Sequence, residues 1–174
     1  EKKIKDQGGA PTYGEMTLEG TDALIKYLQP THNDVFVDGG SGIGKVAVHF
    51  LFSTDIPKSV GIELSQERYQ KAQSVKDALE KNRELSKSKK LEFYNQNILD
   101  ADVHDATIFF MCSTCFSDEL MKKITEKLAH LKPGLRVVTL KQLPDIKRFV
   151  LKDQLTLPMT WSQSTPVYIY ELSY

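Results

Sequence analysis

Asp38 closes a short apolar run, Val35-Phe36-Val37, and is followed at once by Gly39-Gly40-Ser41-Gly42-Ile43-Gly44. A carboxylate at the end of a strand, beside a turn of very small residues, is suited to holding a ligand. The glycines free the backbone for positive φ and close approach, and a helix starting after the turn aims free N–H groups at whatever lies there. A second acid, Glu63, ends the next apolar run, Ser59-Val60-Gly61-Ile62. Asn97 and Ile98 follow a third, Leu91-Glu92-Phe93-Tyr94, and Cys112-Ser113-Thr114-Cys115 ends a fourth that starts at Ala106. A parallel sheet brings such ends to one edge, where ligands bind at the point of strand-order reversal.

The glycine turn admits several chemistries. Gly39-x-x-x-x-Gly44-Lys45 matches a P-loop up to its last position, where Val46 lacks the hydroxyl that would hold magnesium. A dinucleotide fingerprint on Gly40-x-Gly42 needs a small residue at Lys45. A third reading uses Asp38 itself, for a cofactor with a cationic amino group and no pyrophosphate. Glu63 would accept both hydroxyls of a ribose, Asn97 would bond an adenine, and Ile98 would pack on it. Acid, glycine turn, acid and a polar/apolar pair at successive strand ends is the pattern for S-adenosylmethionine. A βα turn without any ligand is the remaining reading.

The spacing C-x-x-C between strand and helix also reads as a thioredoxin-type redox site, although thioredoxins lack the cofactor-like turn upstream. A zinc site would need two further ligands from His32, His49, His104 or His130, and none is paired at ligand spacing. The expected role is two small residues lining an acceptor pocket, with no metal.

The elements that must position these groups follow from periodicity. A helix starts at Thr17, with Leu18, Ala23, Leu24, Tyr27 and Leu28 on one stripe, and Pro30 stops it. Strands are expected at Val35–Asp38, Ser59–Leu64, Leu91–Tyr94, Ala106–Cys112 and Leu135–Leu140, continuous and apolar as buried parallel strands are. Helices are expected from Gly42 to about Phe52, from Ser65 to about Ser86, and over Asp118–Leu131. A weak helix near Asp145–Val150 leads to Leu155–Trp161 and Pro166–Leu172, joined through Ser162–Thr165 as a hairpin. This is an α/β doubly wound fold whose last strand is antiparallel. Residues 1–16 read as an N-terminal arm and 17–174 as one domain.

With 174 residues there is one sizeable core and no room for two. The 23 basic and 23 acidic residues cancel, so no global field draws nucleic acid or membrane. No run has the length of a membrane span, and no signal peptide is visible. The charged start without Met reads as a domain excised from a longer chain, and two cysteines point to a reducing intracellular compartment.

Three stretches resemble one family. Tyr13-Gly14-Glu15-Met16-Thr17 resembles the Y-G-E loop over the cofactor in the disruptor-of-telomeric-silencing ("Dot-one") family, non-SET methyltransferases of a histone H3 core lysine. Phe36-Val37-Asp38-Gly39-Gly40-Ser41-Gly42-Ile43-Gly44-Lys45-Val46 is similar to its glycine motif. Pro133–Lys141 and Trp161…Pro166-Val167-Tyr168-Ile169-Tyr170 are similar to its closing strands. The resemblance implies a Rossmann-like class I methyltransferase: a mostly parallel seven-stranded sheet, helices on both faces, and a C-terminal antiparallel hairpin. It implies S-adenosyl-L-methionine held by Tyr13, Glu15, Met16, Thr17, Asp38, Gly39, Gly40, Ser41, Gly42, Gly44, Glu63, Leu64, Asn97, Ile98 and Cys112. Phe110, Phe116, Trp161 and Tyr170 are candidates for an apolar acceptor channel, and Cys112 stands where the family has an Asn near the reacting methyl group. The family's G-D-F is Gln96-Asn97-Ile98 here. The implied partner is a protein lysine, on a histone or nucleosome, with a nuclear location; a non-histone acceptor or an inactive cofactor-binding scaffold are the alternatives, with a cytoplasmic location if the acceptor is not a histone.

Overall fold

The computed structural model describes residues 14–145 and 147–174. Tyr13 lies outside them. The elements run α1 (Leu18–Leu28), β1 (Val35–Gly39), α2 (Lys45–Phe52), β2 (Lys58–Ile62), α3 (Gln66–Lys81) and β3 (Lys90–Tyr94). They continue with β4 (Ile108–Met111), α4 (Asp118–Leu128), β5 (Arg136–Thr139), β6 (Phe149–Met159) and β7 (Ser162–Leu172). The seven strands form one sheet in the order β3-β2-β1-β4-β5-β7-β6. The first five strands in the chain pair in parallel, while β7 runs antiparallel to both β5 and β6. Strand order reverses between β1 and β4, so the crevice lies beyond the ends of those two strands.

Alternation along each strand feeds a core on each face. Phe36 and Phe110 point to the side covered by α1 and α2, where Phe36 stacks on Phe50 with ring centroids 3.9 Å apart. Val37, Phe109 and Met111 point to the other side and meet Leu120, Ile124 and Leu128 of α4. Every residue of β4 is buried, as a strand covered on both faces requires. No helix among the described residues is long and apolar enough to cross a membrane.

Three expectations are corrected. The α3 helix ends at Lys81 rather than near Ser86. Arg83 takes a left-handed φ of 57°, Glu84 N–H bonds Leu79 O at 2.9 Å, and Arg83 N–H bonds Glu80 O at 3.1 Å. That is a Schellman closure without the usual glycine. The weak helix near Asp145–Val150 is absent from its described residues: Lys147 and Arg148 form a turn, and β6 starts at Phe149. The backbone there is pulled extended, since Arg148 O accepts from Ser173 N–H at 2.7 Å while its guanidinium bonds Ala129 O and Ser173 O. The hairpin turn is Thr160-Trp161, because Met159 pairs with Ser162; Ser162–Thr165 belongs to β7.

Several basic side chains end inside the fold. Arg136 donates to Leu28 O at the end of α1 (2.6 Å), and Lys89 to Leu51 O at the end of α2 (2.5 Å). Such cations satisfy carbonyls that a helix end leaves free.

Candidate active site

Asp38, the penultimate residue of β1, is buried beside Gly61 of β2 and Phe110 of β4. Its Oδ1 has no hydrogen-bond partner, and neither has Ser41 Oγ; among the described residues these are the two buried side-chain polar atoms left without one. Burial, then the carboxylates of Glu63 and Glu15, push the Asp38 carboxyl well above the usual range. A buried acceptor of this kind is satisfied by a cationic donor.

The glycine turn is closed inward. Gly40 and Ser41 N–H both bond Ile62 O (2.8 and 2.9 Å), and Gly44 N–H bonds Ser41 O at 2.9 Å. Gly42 N–H bonds Glu63 Oε2 at 2.8 Å. These donors are therefore not aimed at a ligand, contrary to expectation, and the turn is no phosphate cradle of the P-loop kind. Gly44 caps α2 with φ 85°, and a Cβ there would fall 2.5 Å from Phe93 Cζ. Only glycine fits both the conformation and the space.

Glu63 sits at the next strand end, almost fully buried. Its Oε1 accepts from Ser65 N–H at 2.7 Å and faces Arg68 Nε at 3.5 Å, while Oε2, with the Gly42 bond, keeps a lone pair for a hydroxyl. Leu64 is half-buried, and its carbonyl and that of Glu63 accept from Asn95 Nδ2 (3.1 and 2.9 Å). Asn97 Oδ1 is already used by Leu99 N–H at 2.9 Å, which leaves its amide donors for a ligand. Ile98 lies against Gly39, where a Cβ would meet Ile98 Cδ1 at 2.3 Å.

A strap crosses this edge from the other end of the chain. Glu15 N–H bonds Thr160 Oγ1 (3.2 Å), Thr160 N–H bonds Glu15 O (2.9 Å), and Met16 bridges Met159. Thr17 caps α1 and donates its hydroxyl to Pro158 O at 3.1 Å. Glu15 pairs with Lys45 at 2.7 Å, and Cys112 Sγ donates to Gly14 O at 3.5 Å. Trp161, 47% exposed, lays its ring on Gly14: a Cβ there would stand 2.6 Å from Trp161 Cε3.

On the acceptor side the structure separates the aromatic candidates. Phe116 lies over Gly40, within 3.3 Å of a Cβ built there. Phe110 is core, packed behind Phe36 on the α1–α2 side. Tyr170 belongs to the opposite core and receives Leu143 N–H on its hydroxyl at 3.3 Å. Phe110 pairs with Val138 and Val138 with Ile169, so Ile169 shares the face of Phe110 and the next residue, Tyr170, takes the other. Burial, then Asp38, Cys115 and Glu15, push the Cys112 thiol up to about 12. It stays protonated at neutral pH, which does not suit the redox reading.

Sequence reasoning missed what holds these loops. Ser113 Oγ accepts from Leu140 and Lys141 N–H (3.1 and 3.0 Å) and bonds Thr139 Oγ1 at 2.8 Å. Thr139 donates its own proton to Lys141 O, so Ser113 is the donor between the two hydroxyls. Lys141 Nζ then reaches Phe116 O at 2.9 Å and Asp118 Oδ1 at 2.7 Å. A hydroxyl just past one strand and another ending the adjacent strand was the available signal.

The family model described as "Histone methylation protein DOT1" matches residues 4–167. The chain is 35% identical over 145 residues to the H3 lysine-79 specific histone-lysine N-methyltransferase of Caenorhabditis elegans, covering 79% of this chain and 15% of that protein. It is 32% identical over 139 residues to the enzyme of the same description from Dictyostelium discoideum, covering 75% of this chain and 7% of that one. The chain thus spans a small fraction of the length of these relatives. A protein-lysine N-methyltransferase of Saccharolobus islandicus is 27% identical over 116 residues, covering 67% of each. Among solved structures, an RNA methyltransferase of Salinibacter ruber in complex with S-adenosyl-L-homocysteine superposes with a TM-score of 0.65 at 23% identity, covering 88% of this chain and 90% of that one. An S-adenosylmethionine-dependent methyltransferase of Clostridium acetobutylicum gives a TM-score of 0.62 at 12% identity, covering 90% and 92%. The fold is the Rossmann-like class I methyltransferase fold with a C-terminal antiparallel hairpin, and the chain belongs to the DOT1 histone-methylation family.

Proposed function

We propose that this domain transfers a methyl group from S-adenosyl-L-methionine to the side-chain nitrogen of a protein lysine, with histone H3 in nucleosomes as the acceptor. The observation that carries this reading is the buried Asp38 carboxyl with its unpartnered Oδ1, between the glycine turn and Glu63. Asp38 and Ser41 would receive the amino-acid end of the cofactor, Glu63 the ribose, and Asn97 with Ile98 the base. The strap at Gly14–Thr17 would cover it, with residues 1–16 as an arm and 17–174 as the transferase domain.

When bound, the cofactor supplies an electrophilic methyl on a sulfonium. The protein orients the two reactants and keeps water away. A free lysine has a pKa of about 10.4 and must arrive neutral to act as a nucleophile. The apolar surface of Phe116 and Trp161 would disfavour the ammonium, so that the lysine gives its proton to water before it attacks the methyl group. Cys112 adds a neutral thiol, held to Gly14 O, where the family's amide would stand.

A non-histone lysine is the second reading. It is favoured by the likeness to the Saccharolobus islandicus protein-lysine N-methyltransferase, a match that covers 67% of both chains. Methyl transfer from labelled cofactor to nucleosomes, free histone H3 and a cell extract distinguishes the two readings. Label on H3 in nucleosomes supports the first and label confined to other proteins the second; cofactor binding with no transfer to any protein would leave a scaffold. A nuclear, chromatin-bound location goes with the first outcome.

A further inference from the structure

Lys127 lies in the last turn of α4, on the face of the sheet away from the strap, and is half-buried. Its ammonium donates to Ile98 O at 3.0 Å, to Leu99 O at 2.8 Å and to Ala101 O. The same turn folds on Asn97, whose carbonyl accepts from Asp100 and Ala101 N–H at 3.0 and 3.1 Å. One compact cation thus gathers three carbonyls of the segment that presents Ile98 to Gly39. An ammonium has three donors on one nitrogen and suits such convergence; a guanidinium spreads its donors over a plane. On the other flank Asn95 ties the segment to the Glu63 and Leu64 carbonyls. Without Lys127 the hydrogen bonds left are that flank and the turn's own, and Ile98 is held by apolar packing alone on its Lys127 side.

We infer that Lys127 is a positioning residue for cofactor binding: by gathering the carbonyls of Ile98, Leu99 and Ala101 it fixes the wall against which the base end of the cofactor packs. This rests on the reading given under Proposed function. Lys127 touches neither the glycine turn nor the strap, so its effect falls on cofactor affinity and not on turnover.

The test is calorimetric titration with S-adenosyl-L-homocysteine, with amide exchange of the same samples. Lys127→Met is expected to bind about tenfold more weakly than wild type, with faster exchange at Leu99 and Ala101. In methyl-transfer assays the KM for cofactor rises by a similar factor while kcat stays within about twofold. Lys122→Met, on the exposed side of the same helix, binds as wild type. Lys127→Met combined with Ile98→Ala is no weaker than the weaker single variant, because both act on one contact. Should Lys127→Met fail to fold, Lys127→Arg serves, with an expected loss of about threefold. Wild-type affinity in the Lys127 variant, or full multiplication of the two single losses, overturns the inference. Failure of the wild type itself to bind overturns the cofactor reading and is a separate result.

Discussion

Replacing Asp38 with Asn sets stability against binding. In the free protein the carboxyl is buried, its Oδ1 unpartnered, with Glu63 and Glu15 nearby. Its folded pKa lies above the unfolded value of about 3.9, so the folded state holds the proton more tightly. Stability associated with this group is therefore greatest below the unfolded pKa and falls as pH rises from there through the folded pKa. Asn removes the charge and the slope. An unsatisfied buried polar group costs about 1–3 kcal/mol, and more if charged. Taking about 2 kcal/mol, and about 2–4 °C per kcal/mol for a domain of this size, the free Asn variant melts about 4–8 °C higher at pH 8. The difference shrinks toward pH 4. Binding moves the other way: losing a hydrogen bond to a charged group, about 1.5–3 kcal/mol, weakens S-adenosylmethionine roughly tenfold to more than a hundredfold. Melting scans across pH, with and without cofactor, read both effects. An Asn variant that melts lower when free, or that binds as wild type, refutes the reasoning.

At the opposite end of the sheet, burial opposes the Asp34 charge, but Thr31 N–H, Thr107 hydroxyl and Arg136 together hold its carboxyl below the usual range. Its contribution is present above the unfolded pKa and lost as pH falls through the folded one; Asp34→Asn costs about 1–2 kcal/mol at pH 7 and nothing near pH 2 in denaturant titrations. Gly44→Ala meets Phe93 and a positive φ at once, so about 2–4 kcal/mol is lost in the same assay. Iodoacetamide at pH 8 modifies the exposed Cys115 first and the half-buried Cys112, its thiol pushed up to about 12, far more slowly; mass spectrometry of the labelled peptides reports this, and equal labelling of the two would contradict the raised pKa.

The strand ends that carry Asp38 and Glu63 were legible because they are written in local sequence. A continuous apolar run, an acid and alternating glycines specify strand, turn and helix within a dozen residues, and Asp38 and Glu63 stand at their expected strand ends. The acceptor side was not, because facing depends on register. Phe110 and Tyr170 looked equivalent as aromatics on strands, and only the pairing of Phe110 with Val138, Val138 with Ile169 and Val137 with Tyr170 assigns them to opposite faces. Helix ends closed without glycine left no signal at Arg83. The hairpin misled for a related reason: Ser162-Gln163-Ser164-Thr165 is polar because that end of β7 lies beyond the reach of β5, not because it is a loop. Long side chains that reach backbone carbonyls, such as Lys127 and Arg136, leave no mark on periodicity at all.

The bond between Glu15 and Thr160 joins residues 145 positions apart. Contacts so distant in sequence carry a large loop-closure cost and form late. During synthesis the glycine turn, Glu63 and the Ile98 segment emerge well before the Thr160-Trp161 turn, so the floor of the crevice is complete while its roof is still missing. The strap can settle only after β6 and β7 have paired and docked on β5. Closure of the strap beside the glycine turn is thereby a late event in folding, completed only when the final hairpin is in place.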